Sequence, residues 1–137
     1  IGSIDEAGKK LIEATEKALH EGIRSAHGGG HIGDIGYAIE KYVTPLGFSL
    51  ADNLSGHGVG YKVHEDPFVP NIGNQDEGPL LKPGMVLAIE PMLLEGSSKV
   101  KFDKDEYTVR TRDGRRAAHF EHTILITQGA PEILTKL

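Results

Sequence analysis

The 137-residue chain predicts an α+β fold in which two helices pack on one face of a curved, mainly antiparallel sheet. Three observations lead there. The first third carries apolar residues at three- and four-residue steps, the period of an amphipathic helix. From Phe48 onward, short runs of strand-forming residues are separated by Gly, Pro and Asp. The helical pattern comes first and the strand pattern second. The length suits one domain with a buried core, so residues 1–137 are read as a single unit.

Taken in order, Ser3 and Glu6 in S-I-D-E read as a capping box. Ile4, Ala7, Leu11, Ala14 and Ala18 then form one apolar face, and Gly22 reads as the terminator. The stretch "SAHGGGH" (25–31) predicts a mobile loop with His27 and His31 solvated. A second helix puts Ile35, Ile39, Val43 and Leu46 on one face, with Gly47 at its end. Thr44-Pro45 stops it early, because proline breaks helices. Then "FSLA" reads as a strand, "GPLLKPG" as a break, and "MVLAIEPML" (85–93) as a strand interrupted at Pro91. The runs "YTVRT" and "RAAHFEHTILIT" flank Asp113-Gly114, a two-residue hairpin signal. Asp103 and Asp105 in "FDKDE" read as a hairpin turn rather than a cation loop.

Hydrophobic residues make up 38% and charged residues 26% of the chain, which places it among globular rather than disordered sequences. A net charge of −5 gives no reason to expect nucleic acid or an anionic membrane as partner. Cysteine is absent, so disulfide and thiolate chemistry are excluded, and a reducing, cytoplasmic compartment is the expectation. No apolar run approaches the roughly 20 residues of a membrane span, and no signal-peptide pattern is visible. The first residue is Ile1 rather than Met, which reads as a processed, trimmed or partial polypeptide.

The chemistry concentrates in three places. In "MVLAIEPM", strand alternation puts Glu90 on the face of Val86 and Ala88. In "FEHTILIT" it puts Glu121 with Thr123 and Leu125, and His122 with Ile124 and Ile126. A carboxylate on an apolar strand face is costly unless it is paired or bound to a cation. The third place is "GHGVGYKVHEDPFVPNIG" (56–73), where His57 and His64 lie among glycines and prolines. Two carboxylates and an imidazole form a mixed oxygen and nitrogen donor set, suited to divalent Zn, Mn, Fe or Co and to water activation.

These blocks, "GHGVGYKVHEDPFVPN", "LKPGMVLAIEPM" and "FEHTILIT", resemble methionine aminopeptidase of the bacterial type I kind in order and spacing. The resemblance covers nearly the whole chain, the helices "IDEAGKKLIEATEKALHEGI" and "IGDIGYAIEKYV" included. It implies the C-terminal half of a pita-bread fold, built from two pseudo-symmetric halves around two divalent metal ions. It also implies His64, Glu90 and Glu121 as metal ligands, with Glu121 bridging and Glu90 also handling the proton of the nucleophilic water. His57 is then expected to shape the wall of the catalytic site and to donate hydrogen bonds there, where neighbouring glycines let the backbone approach.

The chain departs from that family in two respects. The two aspartate ligands, which precede the first helix in the family, are missing, so an N-terminal half in the same or a separate chain is expected to supply them. Alone, this chain is expected to hold at most one ion, weakly. The substrate-facing histidine seven residues after the ligand histidine is replaced by Asn71, which can donate a hydrogen bond but cannot become cationic. The implied activity is removal of the initiator methionine from the N-termini of nascent polypeptides. A second reading is an X-Pro peptidase of the same fold. Those resemble "EPG" and "ED" at the two glutamates, where this chain has Glu90-Pro91-Met92 and Glu121-His122-Thr123. A third is a non-catalytic module that binds peptides or a partner chain.

Overall fold

The computed structural model describes residues 2–136. Two helices lead the chain: α1 (Glu6–Ser25) and α2 (Ile32–Val43), the latter followed by a 3-10 turn over Thr44–Leu46. Ten short strands follow: β1 (Ser49–Leu50), β2 (Ser55–Gly58), β3 (Glu65–Pro70), β4 (Val86–Ile89), β5 (Met92–Leu94), β6 (Val100–Phe102), β7 (Val109–Thr111), β8 (Ala117–His119), β9 (His122–Leu125) and β10 (Glu132–Ile133). They form a five-stranded sheet in the order β10-β9-β4-β2-β3, a three-stranded sheet β1-β5-β8 and the hairpin β6–β7. Every pairing is antiparallel. The α+β class and the order of its parts follow the sequence pattern.

The core lies between the helices and one face of the sheets. Leu11, Ala14, Ala18 and Leu19 of α1 and Ile35, Ile39 and Val43 of α2 pack with Leu87, Ile89, Val69, Ile124 and Ile126. Along β4 and β9, alternate residues therefore serve different purposes. Leu87, Ile89 and Ile124 face the helices, and Ala88 and Thr123 face away. Fully burying such a side chain contributes about 1.5–3 kcal/mol, so this apolar set fixes which face of each strand is free for chemistry.

Several local expectations change in the structure. The cap of α1 is Asp5, not Ser3: its carboxylate accepts the Gly8 N–H at 2.8 Å, and Arg116 Nη1 donates to the same oxygen at 2.7 Å. The Gly8 N–H and then Arg116 hold the Asp5 carboxyl below the usual carboxylate range. Gly22 does not end α1, which continues to Ser25. It lies where α1 and α2 touch, and a Cβ there would come within 2.8 Å of Ile39 Cδ1. The loop "SAHGGGH" is not mobile but tied. Gly28 N–H donates to the Thr127 carbonyl and Gly29 N–H to the Leu81 carbonyl, both at 2.9 Å, and Leu81 N–H returns a bond to Gly30. Within it His27 is exposed as expected, whereas His31 is half-buried and opens α2.

The run 85–93 is two strands in two sheets, and the first of them stops before Pro91 as read from the sequence. Likewise "RAAHFEHTILIT" divides at Phe120-Glu121 into β8 and β9. Asp113-Gly114 forms a turn with Gly114 at φ 73°, but it does not join a hairpin: β7 pairs with β6 and β8 pairs with β5. Asp113 is instead committed to the Ser97 and Arg115 N–H groups, which draw the chain toward the end of β5. The "FDKDE" stretch is the β6–β7 hairpin turn, as read. Asp105 accepts the Tyr107 and Thr108 N–H groups, and Asp103 takes Arg110.

Gly22→Ala tests the helix contact. Alanine gains about 1 kcal/mol of helix propensity, but its methyl overlaps Ile39, which is fully buried and cannot swing aside. Overpacking of this kind costs about 1–3 kcal/mol. The expected outcome is a net loss of roughly 1 kcal/mol, read as a lower denaturation midpoint; a raised midpoint would show that the contact has slack.

Candidate metal centre

The register of the five-stranded sheet assembles the site. β4 pairs with β9 so that Val86 faces Leu125 and Ala88 faces Thr123. Continued one residue past the ladder, the same register sets Glu90 opposite Glu121. On the other flank of β4, His57 of β2 pairs with Ala88. Residues opposite one another share a face. His57, Glu90 and Glu121 thus emerge together on the face turned away from the helices. One ligand atom from each lies within 4.8 Å of the other two.

The carboxylates do not point into the apolar interior, as their strand context had suggested. They project from the open face, with the Glu90 side chain 14% exposed and Glu121 exposed. Exposure spares Glu121 most of the desolvation penalty, whereas the largely covered Glu90 relies on its polar neighbours.

The imidazole in this cluster is His57. It is buried, and its Nδ1 lies 2.9 Å from the Gly58 carbonyl, which takes an Nδ1–H. That leaves Nε2, 3.4 Å from Glu90 Oε1, as the free ring nitrogen. His64, given the ligand role by resemblance, is not among the three clustered side chains. It is exposed in the bend before β3, and its ring sits against that of His57, with centroids 4.2 Å apart and planes at 56°. The reason is local: His57 is held by the β2–β4 ladder, whereas His64 belongs to the bend at 61–64, outside any strand.

The glycines around His57 act as expected. A Cβ on Gly56 would stand 2.2 Å from the Ala88 carbonyl oxygen, and one on Gly58 2.2 Å from that of Asp66. Neither backbone atom can yield without breaking the ladder that places His57.

Asn71 is buried, and its Nδ2 donates to the backbone carbonyl of Glu90 at 3.3 Å, while its Oδ1 has no partner among the described residues. It holds the Glu90 peptide from behind rather than lining the cleft, which places its side chain differently from the substrate-facing role expected at this position.

One participant was not identified from the sequence. His119 Nε2 lies 3.2 Å from Glu90 Oε2, and the Glu90 carboxylate raises the His119 pKa above the ordinary imidazole value. The signal was available in "AAHFEH", where His119 and Glu121 stand at alternate positions, but the break at Phe120 obscured the shared face.

Beside the cluster opens a cleft of about 570 Å³, within the usual range for small-ligand sites. His57, His64, Glu90, Arg110 and His119 are among its polar lining, and Met92, Leu94, Tyr107 and Val109 are among its apolar walls. A larger concavity of about 720 Å³ lies between the C-terminal part of α1 and α2. It contains Asp34 and Asp76, which with His31 form another acidic and imidazole cluster. There, however, Asp34 is already committed. Burial alone would raise its pKa, but the His31 and Asp76 N–H groups donate to its two oxygens and lower it overall. That cluster closes the N-terminus of α2, with both Asp34 oxygens engaged in doing so.

The model of metallopeptidase family M24 matches residues 1–128. The chain belongs to that family. It is 48% identical to methionine aminopeptidase 1 of Bacillus subtilis over 137 residues, all of this chain and 55% of the relative. Against methionine aminopeptidase of Clostridium perfringens the identity is 48% over 135 residues, 98% of this chain and 54% of the relative. The methionine aminopeptidase structure from Thermotoga maritima superposes with a TM-score of 0.96 at 45% identity, covering all of this chain and 55% of that one. The prolidase from Pyrococcus horikoshii gives 0.75 at 28% identity, covering 99% of this chain and 33% of that one. The chain therefore spans about half the length of the relatives it matches, and its α+β architecture is that of the corresponding part of the pita-bread structures. Membership of a metallopeptidase family fits a divalent ion at the His57–Glu90–Glu121 cluster, whose oxygen and nitrogen donors suit one. Among the described residues, no helix is long and apolar enough to cross a membrane.

Gly58→Ala is expected to damage the site and the fold together. The added methyl meets the Asp66 carbonyl, so the loss should exceed the roughly 1 kcal/mol foreseen for Gly22→Ala. Denaturant titration checks this, and a midpoint equal to that of the parent would refute the close approach.

Proposed function

We propose that residues 1–137 form the C-terminal catalytic unit of a methionine aminopeptidase, releasing the initiator methionine from nascent polypeptides. The observation that carries this reading is the convergence of Glu90, Glu121 and an imidazole beside a cleft with apolar walls. Identities of 45–48% to methionine aminopeptidases, against 28% to a prolidase, favour this substrate over an X-Pro peptide. The Pro91-Met92 and His122-Thr123 pairs that follow the two glutamates favour the same choice.

In this reading Glu90 and Glu121 supply carboxylate ligands and His64 the nitrogen ligand. His64 stands at the exposed side of the cluster, where an incoming ion and an N-terminal half would approach. His57, fixed in the sheet with its ring tilted against that of His64, forms the wall behind it. When bound, two ions of the Co, Mn, Fe or Zn class would acidify water and polarise the scissile carbonyl. The chain's own residues do the rest. Glu90, at its carboxylate oxygens, takes the proton of the attacking water and passes it to the leaving amine. Met92, Leu94, Tyr107 and Val109 offer apolar surface to the methionine side chain. Asn71 keeps the Glu90 peptide in place from the buried side. Two aspartates from an N-terminal half complete the ligand set.

Two outcomes test this. The 137-residue chain supplied with Co(II) or Mn(II) is expected not to release methionine from Met-Ala-Ser. Adding an N-terminal half that carries two strand-borne aspartates is expected to give turnover, which Glu90→Ala or Glu121→Ala abolishes. Turnover surviving Glu90→Ala would refute the proton role. For the nitrogen ligand, calorimetric titration with Mn(II) should show His64→Ala weakening binding well beyond His57→Ala. The reverse order would move the ligand to His57, whose Nε2 is the nearer nitrogen.

A further inference from the structure

We propose that His119 is a positioning residue for Glu90, holding one carboxylate oxygen so that the other remains available to an ion or to water. The inference rests on the metal-centre reading above, and nothing in the family resemblance singles out this side chain.

The placement follows from the three-stranded sheet. β8 pairs with β5 so that His119 faces Met92 and Ala117 faces Leu94. Residues opposite one another share a face, and all four line the cleft. Glu90 stands two residues before Met92, where β4 hands over to β5. His119 therefore reaches Glu90 from a different sheet than His57 does. The two oxygens are divided between them: His119 Nε2 lies 3.2 Å from Oε2 and His57 Nε2 3.4 Å from Oε1. The Glu90 backbone is pinned as well, by Asn71.

The roles of the two rings differ. His57 gives its Nδ1–H to the Gly58 carbonyl, so its Nε2 carries a lone pair and cannot donate to Glu90 in that tautomer. His119 is then the ring able to donate an N–H to the carboxylate. A glutamate side chain has three rotatable bonds, and a donor that fixes it lowers the ordering cost of ligation. Such outer contacts to ligating groups are commonly worth about 10–100-fold in metal affinity. Nor is His119 needed to fill the core. Its side chain is 47% exposed, so truncating it leaves no buried cavity.

Mn(II) titration by calorimetry, paired with thermal denaturation, tests the proposal on the 137-residue chain and on the chain joined to its N-terminal half. His119→Leu, which cannot donate, is expected to weaken Mn(II) binding about 10–100-fold while leaving the metal-free melting midpoint unchanged. His119→Gln, whose amide can still donate to Glu90, is expected to restore affinity to within about threefold of the parent. His119→Ser, too short to reach Glu90, repeats the loss without a large apolar group should the leucine variant fold poorly. Parent-like affinity in His119→Leu or His119→Ser overturns the inference, as does a glutamine variant as weak as the leucine one. Failure of the metal reading looks different. In that case the parent takes up no Mn(II) in either form, or Glu121→Ala binds as the parent does, and the inference falls with it.

Discussion

The register between β4 and β9 is the constraint on which the site depends. A slip of β9 by one residue would send Thr123 to the helix side and bring Ile124 out, and a slip of β4 would do the same to Ala88 and Leu87. It would also separate Glu90 from Glu121. The register is fixed by burial: Leu87, Ile89, Ile124 and Ile126 are all essentially inaccessible and packed with α1 and α2. At about 1.5–3 kcal/mol for each such side chain, exposing all four would cost about 6–12 kcal/mol, comparable to the typical stability of a whole domain. The functional residues do not create this order. They occupy the alternate positions that the core leaves free, at the point where both strands stop pairing.

That the carboxylates sit just past the ladder is itself physically sensible. Within the ladder a glutamate would be flanked by buried neighbours and would have little access to water. At Glu90 the chain leaves one sheet for another, and at Glu121 it enters β9 after leaving β8. Two sheets meet at these handovers, so one residue can receive contacts from both. Glu90 does so, touching His57 from the five-stranded sheet and His119 from the three-stranded sheet. Glu121, exposed where Glu90 is largely covered, is the freer of the pair. One carboxylate held and one loose suits a division between positioned chemistry and adaptable ligation.

Much of this was legible in the sequence, and the parts that were not share a cause. Period-2 alternation put Glu90 with Ala88 and Glu121 with Thr123, and the structure pairs Ala88 with Thr123. Both helices were visible from their apolar spacing, and Thr44-Pro45 marked the end of α2. The readings that failed concerned partners distant in sequence. Asp113-Gly114 looks like a local hairpin, yet the strands on either side find other partners, because burial of Leu93 and Ala118 against the core outweighs proximity. Gly22 looks like a terminator because a close helix crossing leaves no local trace. The three glycines at 28–30 look loose because their backbone partners, Leu81 and Thr127, are remote. His119 escaped notice for the same reason: its partner Glu90 is brought to it by a second sheet.

The histidine pair shows how far geometry and resemblance can each be carried. Within this chain, His57 is the imidazole that the fold holds in place, by a ladder position, two glycines and a bond to the Gly58 carbonyl. A ring fixed in that way is well placed to set the shape of a wall and poorly placed to adapt to an incoming ion. His64 has the opposite properties: it is exposed, lies outside the strands and sets its ring at a tilt against that of His57. If ions enter from the open side together with ligands from an N-terminal half, the adaptable ring is the one that can meet them. His57 is then the template against which His64 rests. The 4.2 Å separation of the two rings allows that exchange over a short distance, with one oxygen of the Glu90 carboxylate already held by His119.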